Sequence, residues 1–372
     1  MHLIGFHYNL LQNWNLSQQY DPYLSTEYIP HDNLSKMLNP DDDTELLKLL
    51  SDTGVIASKQ QCKYCGCNMK FEKQSNNWFW VCNRRVNGKK CNRGKFSIRD
   101  GTFLGKSKLS IQAIIWIVWH FVHNLTENQC KQYTNIGQKN CKTIVNWYGK
   151  CREVCSTWIW QNKPKLGGFG KIVEMDESQF AGAAKYGKGR RLGEDPWEGS
   201  NKWGFGLIER GSLDCVLKTV HASRSRAILM PLINESCADG TVFCSDGWKA
   251  YVKLSENVEL EDTLHFPVNH TNNYVDPVTG AHTQSIEGTW IHCKNFLPTY
   301  GVKPNSLDSY LSTFMWMRYV KQRKLDIFRH FLVSAGFVFK PTNVILPSGM
   351  MKTVKCPIGN PKNDTDNDFE EL

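Results

Sequence analysis

The sequence lacks a basic-then-apolar leader at its start, which argues against secretion. It also lacks a long uninterrupted apolar run. The most apolar stretch, Leu109 to Leu125, contains Gln112, His120, His123 and Asn124. That is too short and too polar for a bilayer span and reads as a buried helix. No internal repeat is present. Acid is scarce in one region: between Lys59 and Lys108 thirteen Lys or Arg face only Glu72 and Asp100. A soluble, intracellular protein is the expectation.

What is present points the same way. The formal charge is +9, and that one region carries +11, so the remainder is close to neutral at about −2. A local basic excess of this size suits a polyanion, most often nucleic acid, with a solvated charged face as the blander alternative. The 372 residues allow two or three domains, and a hydrophobic share of 41% is enough to fold most of them. Fourteen cysteines in a reducing compartment read as thiols and metal ligands rather than disulfides.

Five regions follow from the patterning. Residues 1–57 are an N-terminal segment, partly helical, with Asp41, Asp42 and Asp43 ahead of a helix that Gly54 stops. Residues 58–107 form a basic, cysteine-rich module whose runs WFWVC and KFSIR suggest small hairpins. Residues 108–162 are helical. Ser110 is placed to open the first helix, and Thr126 with Gln129 has the capping-box spacing; a further helix runs from about Gln138 through Cys155. Two helices about the Gly137 turn resemble a helix-turn-helix. Residues 169–335 switch to strands at 171–175, 202–208, 215–220 and 241–244, with helices over 222–237, 285–296 and 307–332. Three antiparallel strands followed by alternating helix and strand fit a ribonuclease H-like α/β sheet. Residues 336–372 are an extension whose acidic end, 363–372, is expected to be disordered.

The cysteine module predicts a structural metal. Cys62-x2-Cys65 is a knuckle offering two tetrahedral positions, and Cys82 and Cys91 complete a four-thiolate set for Zn²⁺. The second pair is Cys-x8-Cys instead of the Cys-x2-Cys of a zinc ribbon, and Cys67 remains an alternative to Cys65. Four thiolates leave no open position, so this zinc is not catalytic.

Three acids carry the other chemistry. Asp176 in VEMDESQF and Asp246 in FCSDGWKAY are expected where apolar strands meet solvent, and Glu287 in HTQSIEGTW on the first turn of a helix. Two strand acids and one helix acid suit phosphoryl transfer by two hard cations about 4 Å apart. Any one of them alone reads as a turn or cap residue. Glu177, on the opposite face by strand alternation, is left out of the set.

In this order, VEMDESQF, SDGWKAY and GAHTQSIEGTW resemble the three signature blocks of Merlin-type DDE transposases and their bacterial insertion-sequence relatives. The segment CKYCG…FSIRDGTFLGKSKLS resembles their zinc-ribbon region, and the likeness covers about residues 45 to 330. It implies a ribonuclease H-like fold with Asp176, Asp246 and Glu287 as a catalytic triad holding two Mg²⁺ or Mn²⁺ ions. It also implies cleavage and transfer of DNA strands at terminal inverted repeats, by a homodimer or larger assembly. The Merlin side implies a nuclear protein.

Lys185, Lys188, Arg190 and Arg191, in a Gly-containing basic loop, and Lys294, seven residues after Glu287, are DNA-contact candidates. His282 is an accessory candidate, for orienting a carboxylate or touching substrate, with a structural role equally open. Trp197, Trp203 and Trp248 read as core before base-stacking residues. Two rival readings stand beside the transposase: a DNA-binding protein derived from such an enzyme, and a metal-dependent nuclease of the same fold.

Overall fold

A computed structural model describes residues 29, 31–39, 41–75, 77–86, 89–91, 94–134, 136, 142–181, 202–220, 224–268, 274–277, 279–298 and 301–339. Two compact units are present: residues 57–96, and the described residues before and after that segment.

In the smaller unit β1 (Lys70–Gln74) and β2 (Asn77–Val81) form an antiparallel hairpin, with Phe71 opposite Trp80 and Lys73 opposite Trp78. β3 (Arg85–Val86) pairs with β4 (Lys89–Lys90), and β5 (Lys95–Ser97) adds to β2. The Phe71 and Trp78 rings stack at 4.7 Å. Such pairs are the unit of stability in a sheet this small.

The larger unit contains α1 (His31–Met37), α2 (Thr44–Asp52), α3 (Ile111–Val122), α4 (Glu127–Thr134), α5 (Lys142–Asn162), α6 (Arg226–Ser236), α7 (Leu254–Asn257), α8 (Gln284–Phe296), α9 (Leu307–Gln322) and α10 (Ile327–Val338). The predicted caps form. Ser110 Oγ accepts the Ala113 N–H at 3.1 Å. Thr126 and Gln129 bond reciprocally, N–H to Oε1 at 2.8 Å and N–H to Oγ1 at 3.2 Å. α5 continues past Cys155 because Trp158 and Ile159 prolong its buried face. The expected start near Gln138 and turn at Gly137 lie outside the described residues. The helix predicted over 307–332 is two helices: Lys324 turns left-handed at φ +53, and the Asp326 carboxylate caps α10 by accepting the Arg329 N–H at 2.6 Å. The helices over 111–162 pack with α9 and α10 around Phe103, Phe121, Trp316 and Phe331, so the expected boundary at 162–169 falls inside this unit.

Strands follow: β6 (Leu166–Gly167), β7 (Ile172–Ala181), β8 (Lys202–Glu209), β9 (Cys215–Val220), β10 (Cys237–Ala238), β11 (Val242–Asp246) and β12 (Leu264–Val268). β6 and β10 make a short parallel pair. The other five form one sheet in the order β12-β11-β7-β8-β9, antiparallel across β7, β8 and β9 and parallel across β7, β11 and β12. The first strand is therefore central, the next two build outward as a meander, and the last two return on its other side. β12 was not predicted. Its Pro267 reads as a strand breaker, and the strand survives because it lies at the sheet edge. No helix among the described residues is long and apolar enough to cross a membrane.

One buried group makes this core pH-sensitive. His330 on α10 is ringed by Trp158, Trp316 and Tyr319, and neither ring nitrogen finds a hydrogen-bond partner among the described residues. Burial, helped by the Arg323 charge, pushes it down to about 4. The folded state keeps it neutral while the unfolded chain protonates near pH 6.5. Its contribution to stability is therefore lost as pH falls from about 6.5 towards 4, roughly 2 kcal/mol of it by pH 5. Asp176 and Glu177, whose carboxyls are raised, act with the opposite sign. The difference between parent and His330→Phe isolates the histidine: denaturant unfolding at pH 7.5 and pH 5 should show a steeper loss in the parent.

Candidate active site

The sheet sets the spacing of the two strand acids. β11 pairs with β7 from Val242 opposite Ile172 to Ser245 opposite Met175 and ends at Asp246. Asp176 is the next residue on β7, so the two aspartates sit one step beyond the last paired positions. Asp176 was expected at a strand end, but β7 runs on to Ala181 with Asp176 opposite Gly206 of β8. What ends there is the neighbouring strand β11, and that opens one side of Asp176.

Glu287, on α8, lies near enough for its charge to act on Asp176. The helix is seated by Trp290, 3% exposed, against two glycines of β8. A Cβ on Gly206 would lie 2.5 Å from the Trp290 ring and 2.9 Å from Ile286, and one on Gly204 would meet Phe180 and Trp290. The GFG of KWGFGLI is thus the socket for the Trp of HTQSIEGTW, and it lets α8 approach the sheet closely. Thr283, buried at the N-cap, donates its hydroxyl to Glu287 Oε1 at 2.8 Å.

Asp176 also feels the charges of the other acids. Asp176 is pushed up to about 7, first by burial, then by the charges of Glu177, Asp246 and Glu287, against a backbone hydrogen bond that lowers it. Among the described residues no ion pair reaches Asp176 or Asp246. Asp246 Oδ1 accepts the Trp248 N–H at 3.0 Å, which shapes the turn after β11. The three carboxylates are not as close-set as the cysteine cluster below. Ligands shared between two cations about 4 Å apart are spread in this way. An acid raised by burial and like charges, with no basic partner among the described residues, is the chemistry that a hard divalent cation relieves. These residues therefore fit such an ion.

Glu177 faces away from Asp176. It is buried, its Oε1 accepts the Tyr251 hydroxyl, and Arg224 Nη1 lies 3.6 Å from Oε2. Tyr251 and Trp248 follow Asp246 closely, so this contact holds the turn carrying it. Arg224 lies between the Trp203 and Trp248 rings, at 3.7 and 4.5 Å. Trp203 is half-buried, and Trp248, 37% exposed, is a surface residue and not core. Lys294 is exposed, its Nζ 5.7 Å from the Phe180 ring centroid. Lys185, Lys188, Arg190, Arg191 and Trp197 lie outside the described residues.

Sequence reasoning passed over Glu174, two residues before Asp176 on β7 and fully buried. Oε1 accepts from Arg210 Nε at 2.5 Å and from the Ser285 hydroxyl at 2.9 Å. Oε2 accepts the backbone N–H of Ser285 at 2.8 Å and of Ile286 at 3.0 Å. His282 Nδ1 lies 3.3 Å from Oε1 without hydrogen-bond geometry, and the His282 carbonyl accepts from Arg210 Nη2 at 2.7 Å. The available signal was an acid inside the apolar run KIVEM.

In the smaller unit Cys62, Cys65, Cys82 and Cys91 converge, with all four Sγ atoms within 4.8 Å of one another. Cys62 and Cys91 are 3.7 Å apart, and Cys65 and Cys82 3.5 Å. Thiolates about 2.3 Å from a tetrahedral Zn²⁺ stand about 3.8 Å apart, so the set fits zinc. Desolvation opposes ionisation of Cys62, but the Tyr64 and Cys65 backbone hydrogen bonds outweigh it and bring the thiol down to about 7. Cys67 stands outside the cluster, its sulfur against Arg84 and the Cys65 carbonyl.

A sheet whose central first strand and returning fourth strand carry adjacent aspartates fits the ribonuclease H-like order expected from the sequence. Residues 165–318, within which all three acids fall, match the ISXO2-like transposase domain family. That segment is thus similar to a DDE-type transposase domain. No curated protein matches it. A solved pre-cleavage Mos1 transpososome is similar over 59% of this chain and 78% of that chain, at 9% identity and a TM-score of 0.24. A score of that size supports neither a shared fold nor a shared site.

Proposed function

We propose that this chain is an active DNA transposase that binds the terminal inverted repeats of its element and performs cut-and-paste transposition. What carries the reading is the side-by-side placing of Asp176 and Asp246 on β7 and β11, with the charge of Glu287 acting on Asp176. The transposase-domain match over 165–318 supports it. In this reading water attacks the phosphodiester at each element end, and the 3′-oxygen leaves as a free hydroxyl. That hydroxyl then attacks a target phosphorus and displaces a target 3′-oxygen.

Asp176, Asp246 and Glu287 would hold Mg²⁺ or Mn²⁺, which supplies activation of the attacking oxygen and charge stabilisation of the leaving one. The protein's own share is to place the carboxylates and leave room for the DNA backbone. Gly288 provides such room, since it lies inside α8 beside Glu287 and a Cβ there meets nothing within 4 Å. Packing does not require glycine at a position where it costs about 1 kcal/mol of helix stability.

Residues 57–96 hold ten Lys or Arg against the single acid Glu72, which equals the whole net charge of the chain. With Zn²⁺ on Cys62, Cys65, Cys82 and Cys91, this unit and the helices over 111–162 are the DNA-binding parts, with Lys185, Lys188, Arg190, Arg191 and Lys294 as further DNA contacts. Concerted action on two ends calls for a homodimer or larger assembly, and the Merlin resemblance for a nuclear location. Purified protein incubated with a terminal-repeat duplex and Mn²⁺ should nick at the element end and join the freed end to target DNA. Binding without nicking under any divalent cation overturns the reading in favour of a DNA-binding derivative. Nicking without joining favours a nuclease.

A further inference from the structure

We propose that Glu174 is a positioning residue that locks the helix carrying Glu287 to the strand carrying Asp176, so that the metal site depends on a buried carboxylate that never touches metal. The inference deepens the proposed function and rests on it.

The geometry is specific. Glu174 and Asp176 are two apart on β7 and so share a face of the sheet. α8 begins at Gln284, and its first N–H groups have no partners within the helix. Glu174 Oε2 accepts two of them, from Ser285 and Ile286, while Oε1 takes the Ser285 hydroxyl. A carboxylate at a helix N-terminus is also favoured by the helix dipole. One side chain on the central strand therefore caps a helix that is more than a hundred residues away in sequence, and fixes its height and rotation. Glu287 lies one and two residues beyond these anchors.

Such a carboxylate would be costly to bury alone. Arg210, just after β8, offsets its charge at 2.5 Å and also holds the His282 carbonyl at the helix entrance. Glu174, Arg210 and Ser285 thus brace the angle between strand and helix. All of the hydrogen-bonding capacity that Glu174 shows is spent on that brace, and none points to an ion. A carboxylate that orients a ligand element in this way is expected to set metal affinity without contributing a metal–oxygen bond. Losses from disturbing outer partners of metal ligands are typically about 10- to 100-fold in affinity.

The test is a Mn²⁺ titration of the full-length chain without DNA, by calorimetry or by the Mn²⁺ electron-spin signal, alongside nicking at graded Mn²⁺. Glu174→Gln keeps the shape but turns an amide donor towards Arg210 or the helix N–H groups. It should weaken Mn²⁺ binding about 10- to 100-fold and raise the Mn²⁺ needed for half-maximal nicking by the same factor, with nicking largely restored at saturating ion. Ser285→Ala removes the hydroxyl contact alone and should shift both quantities in the same direction by a smaller factor, in a protein that remains folded. If both variants are less stable yet bind Mn²⁺ as the parent does, Glu174 is only a structural residue and the proposal is overturned. If saturating Mn²⁺ fails to restore nicking in a folded Glu174→Gln, a positioning role is likewise overturned. If the parent binds no Mn²⁺ and nicks nothing, the proposed function fails first and takes this inference with it. A parent that nicks while the variants match it defeats the inference alone.

Discussion

Asp246→Asn should abolish both nicking and joining while leaving the fold and metal-free DNA binding as in the parent. The substitution changes one oxygen to an amide, so the Oδ1 that accepts the Trp248 N–H at 3.0 Å is kept, and with it the turn after β11. What is lost is a negative charge where Asp176 is already held up to about 7 by burial and by neighbours that include Asp246. Removing it makes Asp176 easier to ionise but takes away an anionic ligand. Charge stabilisation of this kind is worth several kcal/mol in phosphoryl transfer, so the rate should fall by a factor on the order of 10³ or more. Gel-resolved nicking of an end-labelled terminal-repeat duplex measures it. An Asp246→Asn protein that cuts at the parental rate removes Asp246 from the site.

The second large effect lies in the smaller unit. Forty residues bury too little apolar surface to hold a fold alone, and here Met69 and Trp80 are the large apolar side chains that are buried. Structural zinc supplies apparent binding energies of about 10–16 kcal/mol in peptides of comparable size. Elemental analysis should find one zinc per chain. Cys82→Ser should lose that zinc, expose 57–96 to proteolysis and weaken DNA binding, while leaving the sheet of the larger unit folded. Cys67→Ser should keep zinc at the parental level, because Cys67 lies outside the converging four. Protein that is free of zinc but protease-resistant across 57–96 contradicts the assignment.

The parts of this architecture that sequence shows are those written in local pattern. β9 spans the predicted Cys215–Val220 residue for residue, because CVLKTV is an uninterrupted β-prone run. The Ser110 and Thr126–Gln129 caps form because their partners are three residues away. β12 was missed because Pro267 argues locally against a strand and only its edge position permits one. The break between α9 and α10 was missed because Gln322-Arg323-Lys324-Leu325 contains neither glycine nor proline, and an Asp326 cap decides it.

The candidate site divides in the same way. Asp176, Asp246 and Glu287 stand in recognisable blocks, yet only strand register explains why Asp176 is open, since β11 stops and β7 does not. Among the thiols, spacing favours Cys65 but leaves Cys67 as an alternative, and it is the fold that turns Cys65 towards Cys82 and Cys67 towards Arg84. Glu174 was invisible because its partners Arg210 and Ser285 lie 36 and 111 residues away. No periodicity predicts a buried charge whose neutralisation is that distant.

The central claim is that Asp176, Asp246 and Glu287 together bind the divalent ion that serves DNA strand cleavage. Anomalous diffraction from crystals of the protein soaked in Mn²⁺ tests it most directly. The account predicts manganese peaks within bonding distance of all three carboxylates, lost in crystals of Asp246→Asn. Manganese found only elsewhere on the chain, in protein that still nicks DNA, contradicts it.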